Sequence, residues 1–269
     1  MRSSPRPLWP SLTLLLQRCV AAPWCALCLD YDGTLAPLVA EPAAASLEAP
    51  MCQALAALVR HPHFDVAVIS GRAVLDLRTR LPVAIPYLAG NHGLEIIGPG
   101  FIYNHPAGQQ ARAQLAVLAD ILRQGLAAFP GVWVEDKGLT LTIHWRQTPA
   151  AFIPMVHRRV HTLLGPDLEA RHVVLRTGKC ILEVRPPVAW HKGNAAHYIV
   201  DHMRSQRAGD PGLLLYIGDD NTDEDAFRTI HTTGLGIVVG QERPWSAAQY
   251  MLASVEHTAL FLALCASIR

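Results

Sequence analysis

At 269 residues the chain has enough length for one large domain or two modest ones, with ample material for a core. Its 23 Lys+Arg against 22 Asp+Glu leave it close to neutrality, which excludes the broad electrostatic footprint of a nucleic-acid binder. The 6 cysteines show neither the paired motifs nor the density of a disulfide scaffold, and they fit a reducing cytoplasm.

Residues 1–24 read as an N-terminal extension. Arg2 and Arg6 precede an apolar run over 8–16 that imitates a secretion signal, but Pro10 interrupts it and Gln17 and Arg18 follow it. A leading helix packed on the domain is expected instead. No uninterrupted apolar stretch reaches membrane-spanning length, so no membrane association is expected.

Cys25-Ala26-Leu27-Cys28 is too short and too uniformly apolar for a surface helix, and it reads as a buried strand closed by glycine. It delivers Leu29-Asp30-Tyr31-Asp32-Gly33-Thr34 to its C-terminal end, where open α/β sheets bind their ligands. A side-chain period of two would aim Asp30 and Asp32 to the same side if the strand geometry persists that far. Two anions held that close need a cation between them, and a hard one with oxygen ligands, Mg²⁺, is the simplest resolution. The plainer alternative is an Asp-Gly turn whose acids cap backbone amides. Cys25 and Cys28, inside the strand and with no second pair elsewhere, read as apolar packing rather than as a redox or metal pair.

An amphipathic helix over 51–59 follows, ended by His61-Pro62-His63, a loop expected to be solvated rather than metal-binding. Phe64-Asp65-Val66-Ala67-Val68-Ile69 is a second buried strand that runs into Ser70-Gly71-Arg72 and a new helical pattern. A hydroxyl and a glycine at such a junction suit a phosphate cradle, in which backbone N–H groups face the anion; Ser70 equally suits an ordinary N-cap. Another short strand, Tyr87-Leu88-Ala89, ends in Gly90-Asn91-His92-Gly93, where the glycines imply close backbone approach and His92 reads as structural.

From about Pro106 the pattern changes. A long helix over 111–126 precedes Val132-Trp133-Val134-Glu135, a turn at Asp136-Lys137-Gly138, and a strictly alternating segment over 139–146. That is a β-hairpin, with Leu139, Leu141, Ile143 and Trp145 on one face and Thr140, Thr142, His144 and Arg146 on the other. A second helix over 150–164 and a second hairpin, 173–176 with 180–184, complete a compact α+β unit inserted into an α/β domain. The expected division is a core of 25–105 and 187–269 around an inserted cap of 106–186.

After the cap, Lys192-Gly193 opens a helix that runs to about Met203. Leu213-Leu214-Leu215-Tyr216-Ile217 is the next buried strand, ending in Gly218-Asp219-Asp220-Asn221-Thr222-Asp223-Glu224-Asp225. Acids so crowded repel one another unless a cation or a helix dipole absorbs the charge. A strand at 236–240 and an amphipathic stretch over 246–264 are expected to complete the sheet and its cover.

Asp30, Asp32, Ser70, Lys192 and Asp219 thus all fall at strand ends or helix starts, and together they make a phosphoryl-transfer kit. In that reading Asp30 attacks phosphorus to form an aspartyl-phosphate, and Asp32 protonates the leaving alcohol and then activates water. Lys192 and Ser70 hold the transferring oxygens. Mg²⁺ is ligated by Asp30, the backbone carbonyl of Asp32 and Asp219, with Asp220 and Asp223 both candidates to complete its shell.

Asp-x-Asp-Gly-Thr after a buried strand resembles the first motif of the haloacid dehalogenase-type phosphatases. The acidic segment 218–227, together with Ser70-Gly71-Arg72, Gly90-Asn91-His92-Gly93, Glu135-Asp136-Lys137-Gly138, Leu182-Glu183-Val184-Arg185-Pro186 and Lys192-Gly193 in that order, resembles the trehalose-6-phosphate phosphatases within that superfamily. The resemblance covers roughly 26–264. It implies a Rossmann-like parallel-sheet core with an inserted α+β cap, and Mg²⁺-dependent hydrolysis of trehalose 6-phosphate in trehalose biosynthesis. It also implies phosphate contacts from Gly71 and Arg72, sugar contacts from Glu135, Lys137 and Glu183, and functional coupling to a trehalose-6-phosphate synthase. The alternatives are another sugar phosphate, such as sucrose phosphate or mannosylphosphoglycerate, or a non-catalytic sugar-phosphate sensor.

Overall fold

The structure is a computed structural model that describes residues 4–39, 41–241 and 245–268. In chain order the elements are β1 (Arg6–Pro7), α1 (Leu12–Ala21), β2 (Cys25–Leu29), α2 (Ala49–Arg60), β3 (Phe64–Ile69), α3 (Val74–Arg80), β4 (Tyr87–Gly90), β5 (Glu95–Gly98) and β6 (Phe101–Asn104). There follow α4 (Pro106–Leu126), β7 (Trp133–Asp136), β8 (Leu141–His144), α5 (Ile153–Glu169), β9 (Val174–Gly178) and β10 (Ile181–Arg185). The last group is α6 (Lys192–Gln206), β11 (Leu213–Gly218), α7 (Asn221–Ile230), β12 (Gly234–Val239), β13 (Tyr250–Leu252) and α8 (Val255–Cys265). The chain divides into two compact units, Met1–Tyr103 with Trp190–Arg269, and Asn104–Ala189.

The first unit is built on a nine-stranded sheet ordered β1-β13-β12-β11-β2-β3-β4-β5-β6. Its central strands are parallel, and β2 and β11 are buried along nearly their whole length, as strands covered by helices on both faces must be. Alternation sorts their side chains. Cys25, Leu27 and Leu29 join Val66 and Val68 in a core that also holds Leu55, Leu58, Phe261 and Leu262 of α2 and α8. Ala26 and Cys28 join Ala67, Ile69 and Tyr216 on the other side, with Ile199, Met203, Phe227 and Ile230 of α6 and α7. Cys25 and Cys28 therefore point to opposite faces and cannot form a pair; burial pushes the Cys28 thiol up to about 12.

Three local expectations gain detail. The leading helix is α1 and it packs on the first unit as expected: Leu8 and, from α1, Leu15 and Cys19 lie in the core, and β1 ahead of it pairs in parallel with β13. The stretch 246–264 completes the sheet through β13, which pairs with β12, and its cover through α8; a three-residue strand is too short to show a period of two. His61 and His63 are not simply solvated; their Nε2 atoms bond the carbonyls of Ile268 at 3.0 Å and Cys19 at 2.7 Å. Two short strands that the periodicity did not reveal, β5 and β6, extend the sheet beyond β4, with β5 antiparallel to it.

The second unit has a four-stranded sheet ordered β7-β8-β10-β9, with all its strand pairs antiparallel. Leu141, Ile143, Leu182 and Val184 on one face pack against Leu115, Leu118 and Leu122 of α4 and Val156, Val160 and Leu164 of α5. Helix α4 begins at Pro106, ahead of the expected 111. Proline suits a first helical position, and the His105 ring accepts the N–H of Ala107. Among the described residues, no helix is long and apolar enough to cross a membrane.

Candidate active site

In the first unit β11, β2 and β3 are adjacent and parallel, so the loops that follow them emerge along one edge of the sheet. Asp30 comes directly after β2, tethered by its own N–H to the carbonyl of Ile217 at 2.9 Å. Lys192 is the first residue of α6, whose start is fixed by a capping box between His191 and Asn194. From there Lys192 Nζ donates to Asp30 Oδ1 at 2.7 Å and to Asp223 Oδ1 at 2.9 Å, with all three side chains buried. Asp223 Oδ1 also accepts the Tyr216 hydroxyl at 2.8 Å, while Oδ2 accepts the N–H groups of Asp219 at 3.1 Å and Asp220 at 3.0 Å.

Asp223 therefore has four donors for about four lone-pair positions, a carboxylate already spent on holding its neighbours. Asp220 is the N-cap of α7. The remaining acids of the segment turn away from one another. Glu224 accepts the Ser246 hydroxyl and, at 2.9 Å, the N–H of Ala247, and Asp225 pairs with Arg228 at 2.6 Å. Gly33 explains how Asp219 comes so close to the loop after β2: its φ is +84°, and a Cβ there would lie 2.1 Å from Asp219 Oδ2.

Asp30, Asp219 and Asp223 each offer a carboxylate oxygen, and these oxygens lie within 4.8 Å of one another. The electrostatic consequences follow from burial. Desolvation, with Asp223 and Asp219 adding to it and Lys192 opposing, holds the Asp30 carboxyl well above its ordinary range. Burial and then Asp223 push Asp219 up to about 7. Burial disfavours the charged form of Lys192, but Asp223 and Asp30 outweigh it and hold the ammonium protonated. One ammonium facing three carboxylates leaves a negative site with oxygen ligands, and a hard divalent cation fits that donor set.

The expected pairing of Asp30 with Asp32 on one side is corrected. Strand β2 ends at Leu29, and the N–H groups of Leu35 and Ala36 both return to the carbonyl of Tyr31, so the period of two is lost in a turn. Asp32 is not in the carboxylate group; its Oδ1 and Oδ2 accept Arg72 Nη2 and Nε, both at 2.7 Å. Arg72 also holds Asp76 at 2.8 Å, and these two acids keep the guanidinium charged against the cost of burial. Ser70 is buried and accepts the N–H of Arg72 at 3.2 Å. It does not cap α3, whose N-cap is Ala73. Gly71 makes room for His92: a Cβ at Gly71 would lie 2.7 Å from the ring Nε2, and His92 itself is buried in the left-handed region at φ 57°.

In the second unit Glu135 lies on β7 and Glu183 on β10, and both are register partners of Thr142 on β8. The two carboxylates thus share one face of the sheet, opposite the face carrying Leu141 and Ile143. Glu183 is buried and accepts Arg185 Nε at 2.7 Å. Lys137, in the turn between β7 and β8, brings Nζ to 3.9 Å from Glu135 Oε2. The same Oε2 lies 2.9 Å from His144 Nε2, and the His144 ring is stacked on Trp133 with centroids 3.9 Å apart. Tyr216, His144 and Trp133 were missed as candidates, since apolar periodicity marks which face a side chain takes but not what its polar atom meets.

The trehalose-phosphatase family profile matches residues 28–256. An uncharacterized glycosyl hydrolase of Mycobacterium tuberculosis is 38% identical over 213 residues, covering 78% of this chain and 16% of its own. The trehalose-phosphate phosphatase of the same organism is 36% identical over 212 residues, covering 78% of this chain and 52% of its own. The chain thus spans about half the length of that phosphatase. Among solved structures, the C-terminal domain of C. albicans trehalose-6-phosphate phosphatase has the same fold, with a TM-score of 0.84 at 23% identity over 100% of this chain and 99% of that one.

Proposed function

The chain belongs to the trehalose-phosphatase family, and from that premise we propose that it is a cytoplasmic, Mg²⁺-dependent phosphatase that hydrolyses trehalose 6-phosphate to trehalose and phosphate. The observation that carries the chemistry is the buried contact of Lys192 with both Asp30 and Asp223, beside Asp219 at the carboxyl edge of the sheet. A carboxylate fixed by an ammonium is oriented for attack, and the same ammonium then faces the transferring oxygens.

In the proposed reaction Asp30 Oδ attacks phosphorus and the bond to the sugar oxygen breaks, leaving an aspartyl-phosphate. Asp32 gives its proton to the departing alkoxide and then takes one from the water that hydrolyses the intermediate. To donate, Asp32 must first leave the Arg72 fork and take up a proton, so Arg72 both orients this acid and limits when it acts. Asp30, Asp219 and the backbone carbonyl of Asp32 would hold Mg²⁺, which would supply charge neutralisation for nucleophile and phosphate. Ser70 and the Gly71 and Arg72 backbone make the phosphate cradle. Neither Asp220, which caps α7, nor Asp223, with its four donors, is assigned to the metal.

Sugar recognition is assigned to the cap, through Glu135, Lys137 and Glu183. Functional coupling to a trehalose-6-phosphate synthase, which would supply the substrate, belongs to the same reading. A panel of disaccharide phosphates assayed for phosphate release with Mg²⁺ tests it. Trehalose 6-phosphate should be the preferred substrate, and Glu135→Ala should lower its kcat/KM by about 10- to 100-fold through KM, while sparing p-nitrophenyl phosphate. Preference for sucrose phosphate or mannosylphosphoglycerate would move the assignment to that substrate, and binding without release from any ester would make the chain a sensor.

A further inference from the structure

We propose that His144, clamped by Trp133, is the positioning residue that aims Glu135 at the sugar, and so sets substrate affinity without touching the reacting phosphate. The inference rests on Glu135 being a sugar ligand. Glutamate has three side-chain torsions, and a carboxylate that must meet hydroxyls in one geometry gains affinity if those torsions are fixed beforehand. In the second unit Trp133 and His144 are direct cross-strand partners on β7 and β8, and Glu135 follows Trp133 by two residues on the same face. The indole and imidazole planes lie 4° from parallel, with centroids 3.9 Å apart, so the stack holds the imidazole in one plane.

In that plane Nε2 lies 2.9 Å from Glu135 Oε2, and because an ionised carboxylate only accepts, the imidazole N–H is the donor. Lys137 Nζ, 3.9 Å from the same oxygen, adds charge but is too far to add the direction of a hydrogen bond to it. The apolar packing of this sheet is made by the opposite face, through Leu141 and Ile143, so the Trp133–His144–Glu135 row is not what holds the unit together. Trp133 is 44% exposed, an expensive place for an indole whose only task is burial.

The test compares His144→Phe, which keeps a ring for Trp133 but loses the donor, with His144→Gln, which restores an N–H at similar reach, each alone and on a Glu135→Ala background. With trehalose 6-phosphate, H144F should raise KM by about 10- to 100-fold and change kcat by less than about threefold, and H144Q should recover most of that loss. On the E135A background H144F should add less than about twofold, because the group it positions is gone. An unchanged KM in H144F, a loss in kcat alone, or an undiminished effect of H144F on the E135A background would each overturn the proposal. The E135A variant by itself reports on the underlying reading: if its KM is normal, Glu135 is not a sugar ligand, and the proposal falls for that separate reason.

Discussion

Burial and Asp223 together push Asp219 up to about 7, and this has a definite sign for stability. A carboxyl whose folded pKa lies above its unfolded value of 3.8 favours the folded state below the unfolded pKa, and that contribution is lost as pH rises through the folded one. In the absence of metal, this group should therefore make the protein less stable as pH climbs from about 4 to about 7. A divalent cation binds the ionised form and relieves the same repulsion. The rise in Tm on adding Mg²⁺ should then be larger at pH 8 than at pH 5.5, as differential scanning fluorimetry with and without EDTA can measure. An equal rise at both pH values would mean that Asp219 is not part of the metal shell. Asp30, Lys192 and Asp219 could be singled out in the sequence because each stands at the end of an apolar run or the start of a helix. The fork between Arg72 and Asp32 could not, because it depends on how the turn after Leu29 leaves the strand.

At the scale of elements, what was legible followed the strength of the pattern. The parallel strands β2 and β11 announce themselves as apolar runs, β3 as one interrupted only by Asp65, and β8 as a strict alternation. Strands β1, β5, β6 and β13 are two to four residues long, and no extended alternation surrounds them as 139–146 surrounds β8. Helix α1 was expected to pack on the domain, but its share in the core became visible only from its neighbours. Leu15 is fully buried beside residues of α2 and α8. Leu15→Ala should cost about 2–5 kcal/mol, seen as a lower urea midpoint with an unchanged slope. A midpoint within error of the wild type would show that 6–21 is a detachable extension after all.

For the whole molecule, the two units divide the chemistry as their sheets divide in type. Near-continuous apolar strands and the start of α6 bring buried Asp30, Lys192 and Asp223 and half-buried Asp219 together at one edge of the first unit. The alternating strands of the second place Glu135 and Glu183 on one face, with Thr142 between them. The two hairpins were recognisable, but the row through Thr142 needed β8 to pair with β10, and the convergence of residues 30, 192, 219 and 223 likewise needed the order of strands in the sheet, which no local pattern contains. The central claim is that Asp30 is the group that accepts the phosphoryl from the sugar. Its most direct test is phosphate release from trehalose 6-phosphate with Mg²⁺ by Asp30→Asn, a variant that keeps the side-chain shape but removes the nucleophilic carboxylate. The account predicts a loss of at least about a thousandfold in a variant that remains folded, and a rate within about tenfold of the wild type would contradict it.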